Sequence, residues 1–267
     1  MITINVAISG SKGFVGKNLH KFLKKNQIPV IPLSRKNFQK NKFPSLQKVT
    51  HFVHLAGIGS ESINQKFENV NVGITENVIN LCKKNKIKKI IYFSALGASK
   101  NSQSSYFLSK FSAEQLIVKS GIDYTIFRPS YIIGYDDYLT SNILKQIKKK
   151  RVYIPGSGNF LLQPITINNV CSCINLALTS KKFSKKIIDL VGPNKIFFKK
   201  LIKNSIKSNI KMKEVDLELA YNNALNKSNF DYGLEDLNIL IGNYTGNFKK
   251  LQNLCDFSFE KINSLNT

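Results

Sequence analysis

Acidic residues are scarce in this chain and none precedes Glu61: 16 aspartates and glutamates stand against 40 lysines and arginines, for a formal charge of +24. Arginine is scarcer still, at Arg35, Arg128 and Arg151 alone. Sites that read phosphates and base edges favour the arginine fork. The lysines here are spread among asparagines and isoleucines, so no specific nucleic-acid binding is expected. Runs such as Lys83-Lys84, Lys148-Lys149-Lys150-Arg151 and Lys195 to Lys207 read as solvated helix ends or loops. The charge remains compatible with an anionic substrate or an acidic protein partner.

Also missing are a basic-then-apolar opening and any run of eighteen apolar residues. No leader and no membrane span are therefore expected, and the default location is cytoplasmic. The four cysteines, Cys82, Cys171, Cys173 and Cys255, have neither C-x-x-C spacing nor adjacent histidines. They read as buried or free thiols of a reducing compartment, with no metal site. No internal repeat interrupts the 267 residues, of which 42% are hydrophobic, enough for a sizeable core.

What is present begins at Ile2. An apolar run to Ile8 leads through Ser9 into Gly10-Ser11-Lys12-Gly13-Phe14-Val15-Gly16, and an amphipathic stretch follows to Lys25 with Leu19, Phe22 and Leu23 on its apolar face. Strand, glycine turn and helix in that order point to a dinucleotide site: Gly10 and Gly13 let backbone N–H groups approach a pyrophosphate, and Gly16 lets the helix pack on the sheet. The pattern then alternates. Strands are expected at Ile28–Leu33, Val49–Ala56, Ile87–Ser94 and Tyr124–Arg128, with helices at Phe67–Asn85 and Ser105–Ser120. Beyond lie a helix near Ser141–Lys149, a strand near Phe160–Ile165, a helix at Asn168–Leu178, a strand at Lys185–Val191 and a helix at Phe197–Ser208. After Asn209 the signals are mixed. The expectation is an α/β doubly wound parallel sheet of Rossmann type over 1–170, with a small substrate or cap region at 171–267 interleaved with it.

Charge also selects the cofactor. An NAD site places an Asp or Glu about twenty residues past the glycines, whereas an NADP site places a basic residue near the phosphate. Here the second strand ends in Ser34-Arg35-Lys36. NADP(H) is expected in preference to NAD(H).

Five segments in order give the chain a family likeness: Gly10-x-x-Gly13-x-x-Gly16, His54-Leu55-Ala56-Gly57, Asn71-Val72-Gly73, Tyr106-x-x-x-Lys110 and Arg128-Pro129-Ser130. Over roughly residues 1 to 195 the sequence resembles the short-chain dehydrogenase/reductase superfamily, in its extended and atypical NAD-dependent epimerase/dehydratase-like branch. It is most similar there to the group containing the Rossmann-fold accessory subunit of respiratory complex I. The resemblance implies cofactor contacts from Gly10, Ser11, Lys12, Gly13, Phe14, Val15, Gly16, Ser34, Arg35, Leu55, Ala56, Gly57, Asn71, Tyr106, Lys110 and Pro129.

Tyr106 and Lys110 lie four apart on one helix face, and a neighbouring ammonium favours a phenolate. The resemblance makes Tyr106 the proton-exchanging group and Lys110 the ribose holder as well. The hydroxyl that extended members place two residues past Ser94 is replaced by Leu96, which leaves Ser94, Ser104 or Ser105 as candidates; Ser94 is the nearest. Two functions follow. One is an NADP(H)-dependent oxidoreductase or epimerase acting on a small, anionic molecule bound near Tyr131–Tyr138 and Gly156–Gln163. The other is a non-catalytic NADPH-holding structural or sensor protein that acts through a partner complex. A homodimer is compatible with either.

Overall fold

The computed structural model describes residues 4–226 and 230–265. Ile2 and Thr3, with which the expected first strand opens, lie outside the described residues. In chain order come β1 (Val6–Ser9), α1 (Phe14–Lys25), β2 (Val30–Leu33), α2 (Arg35–Gln39) and β3 (His51–His54). A π-helical turn, Glu68–Val72, runs into α3 (Gly73–Lys84), followed by β4 (Lys89–Phe93), α4 (Ser105–Lys119) and β5 (Asp123–Pro129). Next are β6 (Ile132–Ile133), α5 (Tyr138–Lys148), β7 (Arg151–Pro155), β8 (Leu161–Leu162), β9 (Ile165–Thr166), α6 (Ile167–Thr179) and β10 (Lys186–Leu190). The chain finishes with β11 (Ile196–Phe197), α7 (Phe198–Ser205), β12 (Lys211–Val215), α8 (Leu217–Leu225), α9 (Leu234–Leu240) and α10 (Phe248–Gln252).

Two compact units result, each assembled from three segments: Met1–Pro129, Ile167–Leu190 and Lys249–Phe257 in the first; Ser130–Thr166, Val191–Phe248 and Ser258–Thr267 in the second. A single cut at 170 does not separate them. It falls inside α6, and α6 and β10 belong to the first unit because β10 pairs with β5 and completes the sheet.

The first unit is built on a six-stranded sheet in the order β2-β1-β3-β4-β5-β10, parallel throughout. A parallel sheet covered on both faces needs near-continuous apolar strands. Val6, Ala7, Ile8, Phe52, Val53, Ile90 and Ile91 accordingly have no exposed surface. Pro32 fits in β2 because β2 is the sheet edge, where one face of the ladder needs no donor. From β1 the chain crosses to β2 on one side, and β3 lies on the other. The C-terminal ends of β1 and β3 therefore flank the switch point of the sheet, where open α/β folds form a crevice.

Many lysines sit at helix C-termini: Lys24 and Lys25 in the last turn of α1, Lys83 and Lys84 of α3, Lys145 and Lys148 of α5. There the positive charge meets the negative end of each helix dipole. This gives the basic runs a local structural reason.

The second unit consists of three two-stranded ladders, β7 with β12, β8 with β11 and β6 with β9, together with α5, α7, α8 and α9. Its core gathers Ile143, Val152, Ile154, Phe198, Leu201, Ile202 and Leu237. The strand expected near 160–165 is instead two, β8 and β9, interrupted at Gln163-Pro164. Proline supplies no donor there, and Gln163 turns its side chain to other backbone: Nε2 donates to Gly192 O at 2.9 Å and Oε1 accepts from Gly246 N at 2.9 Å. The stretch after Asn209 holds β12, α8, α9 and α10, each five to nine residues long and too short to sustain a readable period. Asp137 explains the start of α5: its buried carboxylate accepts from Thr140 N at 2.9 Å and Gly134 N at 3.1 Å, capping the helix. Among the described residues no helix is long and apolar enough to cross a membrane.

Candidate functional site

The β1–α1 turn is built by glycine. Gly10 has φ +71°, and a Cβ there would stand 2.8 Å from Ala56 N. A Cβ on Gly16 would stand 2.3 Å from Gly10 O and 2.8 Å from Ser11 Cα, so the first turn of α1 lies directly on the loop that precedes it. Gly13 caps α1 without a side-chain bond, and no acidic residue occupies the first turn. The N–H groups that begin this twelve-residue helix are thus left for an anion. Ser11 Oγ donates to Leu33 O at 3.1 Å, which ties the turn to the end of β2, while Lys12 is exposed and Phe14 and Val15 are half-buried at the helix start. These features fit the diphosphate of a dinucleotide.

Behind the turn runs a directional buried chain of hydrogen bonds. Ala56 N donates to Ser9 Oγ at 3.3 Å. Ser9 Oγ and His54 Nδ1 are 2.7 Å apart, His54 Nε2 and Thr75 Oγ1 2.9 Å, and Thr75 Oγ1 donates to Asn71 O at 2.6 Å. Because the Thr75 proton goes to Asn71, Thr75 accepts from His54 Nε2–H; Nδ1 then accepts from Ser9. The imidazole is wholly buried and near the Lys110 ammonium, and both effects hold its pKa down to about 3, burial being the larger. It is neutral in the folded protein at neutral pH.

Asn71 joins this chain to α4. It lies in the π-helical turn, where one extra residue re-aims the side chain. Its Oδ1 accepts from Ile58 N at 2.9 Å; its Nδ2 donates to Ile58 O at 3.2 Å and to Ser109 Oγ at 2.9 Å. Ser109 in turn donates to Tyr106 O at 2.7 Å. Asn71 therefore fixes the loop after Gly57 against the first turns of α4.

Lys110 is 6% exposed, and its ammonium donates to Phe93 O at 3.0 Å. It stands 5.2 Å from the Tyr92 ring centroid and 6.0 Å from that of Tyr106. Burial lowers its pKa to about 8, with Glu114 opposing the shift. A Cβ on Gly57 would come within 3.1 Å of Nζ, so the exposed glycine loop passes directly over the ammonium. Tyr106 is half-buried and packs its ring against Phe67 at 5.8 Å and Phe107 at 5.3 Å.

Ser94 follows β4 with its hydroxyl buried and without a hydrogen-bond partner, an orphaned polar atom that suits a bound polar group. Leu96 is half-buried, and its N–H donates to Pro129 O at 3.2 Å, which holds the loop to the end of β5. Ser104 precedes α4 and its Oγ is likewise buried without a partner. Arg35 begins α2 and is exposed; Ser34 N and Oγ both donate to Asn37 Oδ1, at 2.7 and 3.0 Å.

The glycine turn, Leu55 to Gly57, Asn71, Ser94, Tyr106 and Lys110 thus all lie in the first unit around the strand ends. Ser9, His54, Thr75 and Ser109 complete the network and were not singled out as site residues from the sequence. His54 opens the segment His54-Leu55-Ala56-Gly57, while Ser9, Thr75 and Ser109 offer only polarity at the end of an apolar strand or on an apolar helix face.

The model of the NAD dependent epimerase/dehydratase family matches residues 6–190. The chain belongs to this family. The chain is 31% identical over 153 residues to the mitochondrial NADH dehydrogenase (ubiquinone) 1 alpha subcomplex subunit 9 of Arabidopsis thaliana, covering 56% of this chain and 38% of that protein. The match thus spans well under half of that relative. Among solved structures, a nucleoside-diphosphate-sugar epimerase from Staphylococcus aureus superposes with TM-score 0.75 at 16% identity, over 99% of this chain and all of that one. UDP-glucuronic acid 4-epimerase from Bacillus cereus, in complex with NAD, gives 0.67 at 18% identity over 94% and 99%. These likenesses bear out the Rossmann-type α/β fold and the epimerase/dehydratase-like branch.

Proposed function

We propose that the first unit binds a nicotinamide dinucleotide, NADP(H) in preference to NAD(H), for an oxidoreductase or epimerase reaction on a small anionic substrate. The carrying observation is Lys110. An ammonium taken out of water with one carbonyl acceptor is destabilising by several kcal/mol, and a perturbed lysine one helical turn from a tyrosine is the kind of group active sites keep. The network from Ser9 to Tyr106 adds rigidity to this arrangement, since each member's partner fixes the next.

The N–H groups of α1 and the Gly10 turn would hold the diphosphate, and Arg35 the adenosine ribose phosphate. The remaining donors of Lys110 would hold the nicotinamide ribose. When bound, the nicotinamide supplies the hydride donor or acceptor. Lys110 favours the Tyr106 phenolate, and Tyr106 exchanges a proton with the substrate oxygen. Ser94, whose buried hydroxyl has no partner, would offer it to the same substrate oxygen.

Leu96, where extended members carry a hydroxyl, favours a second reading: the dinucleotide is structural or sensory and the protein acts in a complex. The likeness to a subunit named for NADH dehydrogenase supports this reading too. One experiment separates the two. Purified protein with NADPH is offered carbonyl compounds, quinones and nucleotide sugars, beside Tyr106→Phe. Turnover that the variant loses while keeping NADPH affinity supports the enzyme; NADPH binding with no oxidation by any substrate, unchanged by the variant, supports the second reading.

A further inference from the structure

Two of the four cysteines face one another. Cys173 on α6 and Cys255, in the turn after α10, place their Sγ atoms 4.0 Å apart within the first unit. Cys173 is fully buried and Cys255 half-buried. Beside Cys255 opens a cavity of about 180 Å³, lined also by Ser180, Lys182, Asn253 and Asp256. A dithiol with one buried member and one member at a cavity mouth has the layout of an attacking and a resolving thiol.

We propose that Cys173 and Cys255 are a reversible redox pair that closes to a disulfide by exchange with a small-molecule disulfide such as oxidised glutathione. The Cys255 thiolate attacks one sulfur of the small disulfide, forming a mixed disulfide and expelling one thiolate. Cys173 then attacks the Cys255 sulfur, the S–S bond to the small molecule breaks, and the Cys173 proton leaves with the second thiolate. Two protein thiols give up two electrons and two protons; one small disulfide becomes two small thiols.

The electrostatics agree with this order of attack. The bond from Cys173 holds the Cys255 thiol below its usual pKa, against burial and the Asp256 charge, while Cys173 is raised by the same bond and by burial. Burial alone raises Cys171 to about 12 and Cys82 further, so neither competes as a nucleophile. The Lys182 ammonium at the cavity suits the carboxylates of a glutathione-like reagent. Once formed, the bond ties the segment 249–257 to α6 and closes a loop that contains the whole of 191–248.

The test uses the full chain, fully reduced and equilibrated with rising ratios of oxidised to reduced glutathione, then alkylated, digested without reductant and mapped by mass. Two of four thiols should disappear together, in one crosslink joining the peptides of Cys173 and Cys255, and dithiothreitol should restore them. Cys173→Ser should stop at a mixed disulfide on Cys255, whereas Cys255→Ser should keep all its thiols. Hydrogen exchange over 249–257 should slow on oxidation of the wild type. Retention of four thiols across ratios that oxidise a thioredoxin control, a wild type that stops at the mixed disulfide, or a crosslink through Cys171 or between chains would overturn the proposal. The wild-type map decides the matter even where a variant fails to fold.

Discussion

Ser9 Oγ, on the last residue of β1, lies 2.7 Å from Nδ1 of His54, the last residue of β3. The bond joins the two strands that flank the switch point, just below the glycine turn. It is worth more than an exposed bond because both partners are wholly buried and every further donor and acceptor in the chain depends on the imidazole's tautomer.

The buried imidazole makes stability depend on acid. Its folded pKa of about 3 lies below the ordinary imidazole value of 6.5, so the unfolded chain binds more protons between those values and stability falls as pH drops from 6.5 towards 3. His51, held at about 4 by burial and Lys89, contributes in the same direction. Urea unfolding at several pH values should show that loss. In His54→Asn the slope should shrink to the share of His51, and neutral-pH stability should fall by about 2–4 kcal/mol as Ser9 and Thr75 lose their partner. A slope equal to that of the wild type would refute the assignment.

Arg128 reaches from β5 to Glu114 on α4 with both carboxylate oxygens engaged, Nε to Oε1 at 2.8 Å and Nη2 to Oε2 at 2.6 Å. Glu114 is entirely buried. Removal of one partner strands a charge in a poor medium, so Arg128→Met should cost about 3–5 kcal/mol, while Arg128→Met with Glu114→Leu should cost less than the single change. A denaturation cycle over the four proteins measures this.

Gly16→Ala drives a methyl against backbone at 2.3 and 2.8 Å and should lower stability by about 1–3 kcal/mol. NADPH affinity should weaken about tenfold or more, since the displaced turn is the one assigned to the diphosphate. Gly73→Ala is the control: a Cβ there would meet Glu68 O at 3.6 Å, an ordinary contact, and helix propensity predicts neutral or slightly raised stability. Thermal melts and a fluorescence titration with NADPH read both effects.

Arg35→Glu should narrow or reverse the preference for NADPH over NADH by placing a carboxylate where NAD sites carry one. Calorimetry with both cofactors on wild type and variant provides the measurement. Equal affinities in the unmutated protein would remove the basis for the assignment.

The first half of the fold was legible because its strands have apolar centres, such as Phe52-Val53 and Ile90-Ile91, that alternate with helical stretches, and its turns carry glycine, as at Gly10, Gly57 and Gly121. β2 keeps its pairing despite Pro32 because it is an edge strand. The second unit was legible only in its helices α5 and α7, which match the stretches expected near Ser141–Lys149 and Phe197–Ser208; β6, β8, β9 and β11 have two residues each, too few for alternation to register, and their partners are distant in sequence. At the site, Tyr106 and Lys110 could be paired by helical spacing alone. Asn71 could be named only by resemblance, since its reach to Ser109 depends on a π-helical turn that no periodicity announces. The path through His54 depends on strand order, which sets β1 beside β3 and brings Ser9, 45 residues away, to hydrogen-bonding distance; Thr75 then reaches His54 from α3.

The interleaving of the two units also has a temporal side. As the chain leaves the ribosome, β5 emerges with a bare edge, and its neighbour β10 follows only after all of 130–166 has been made. During that interval the nascent sheet presents unpaired backbone and apolar side chains, the kind of edge on which other chains pair. Lys186, at the start of β10, and the lysines around it bring positive charge to that edge as it closes. A chain with this segment order therefore keeps the β5 edge open until β10 is made, and Lys185 and Lys186 arrive there together with the strand that covers it.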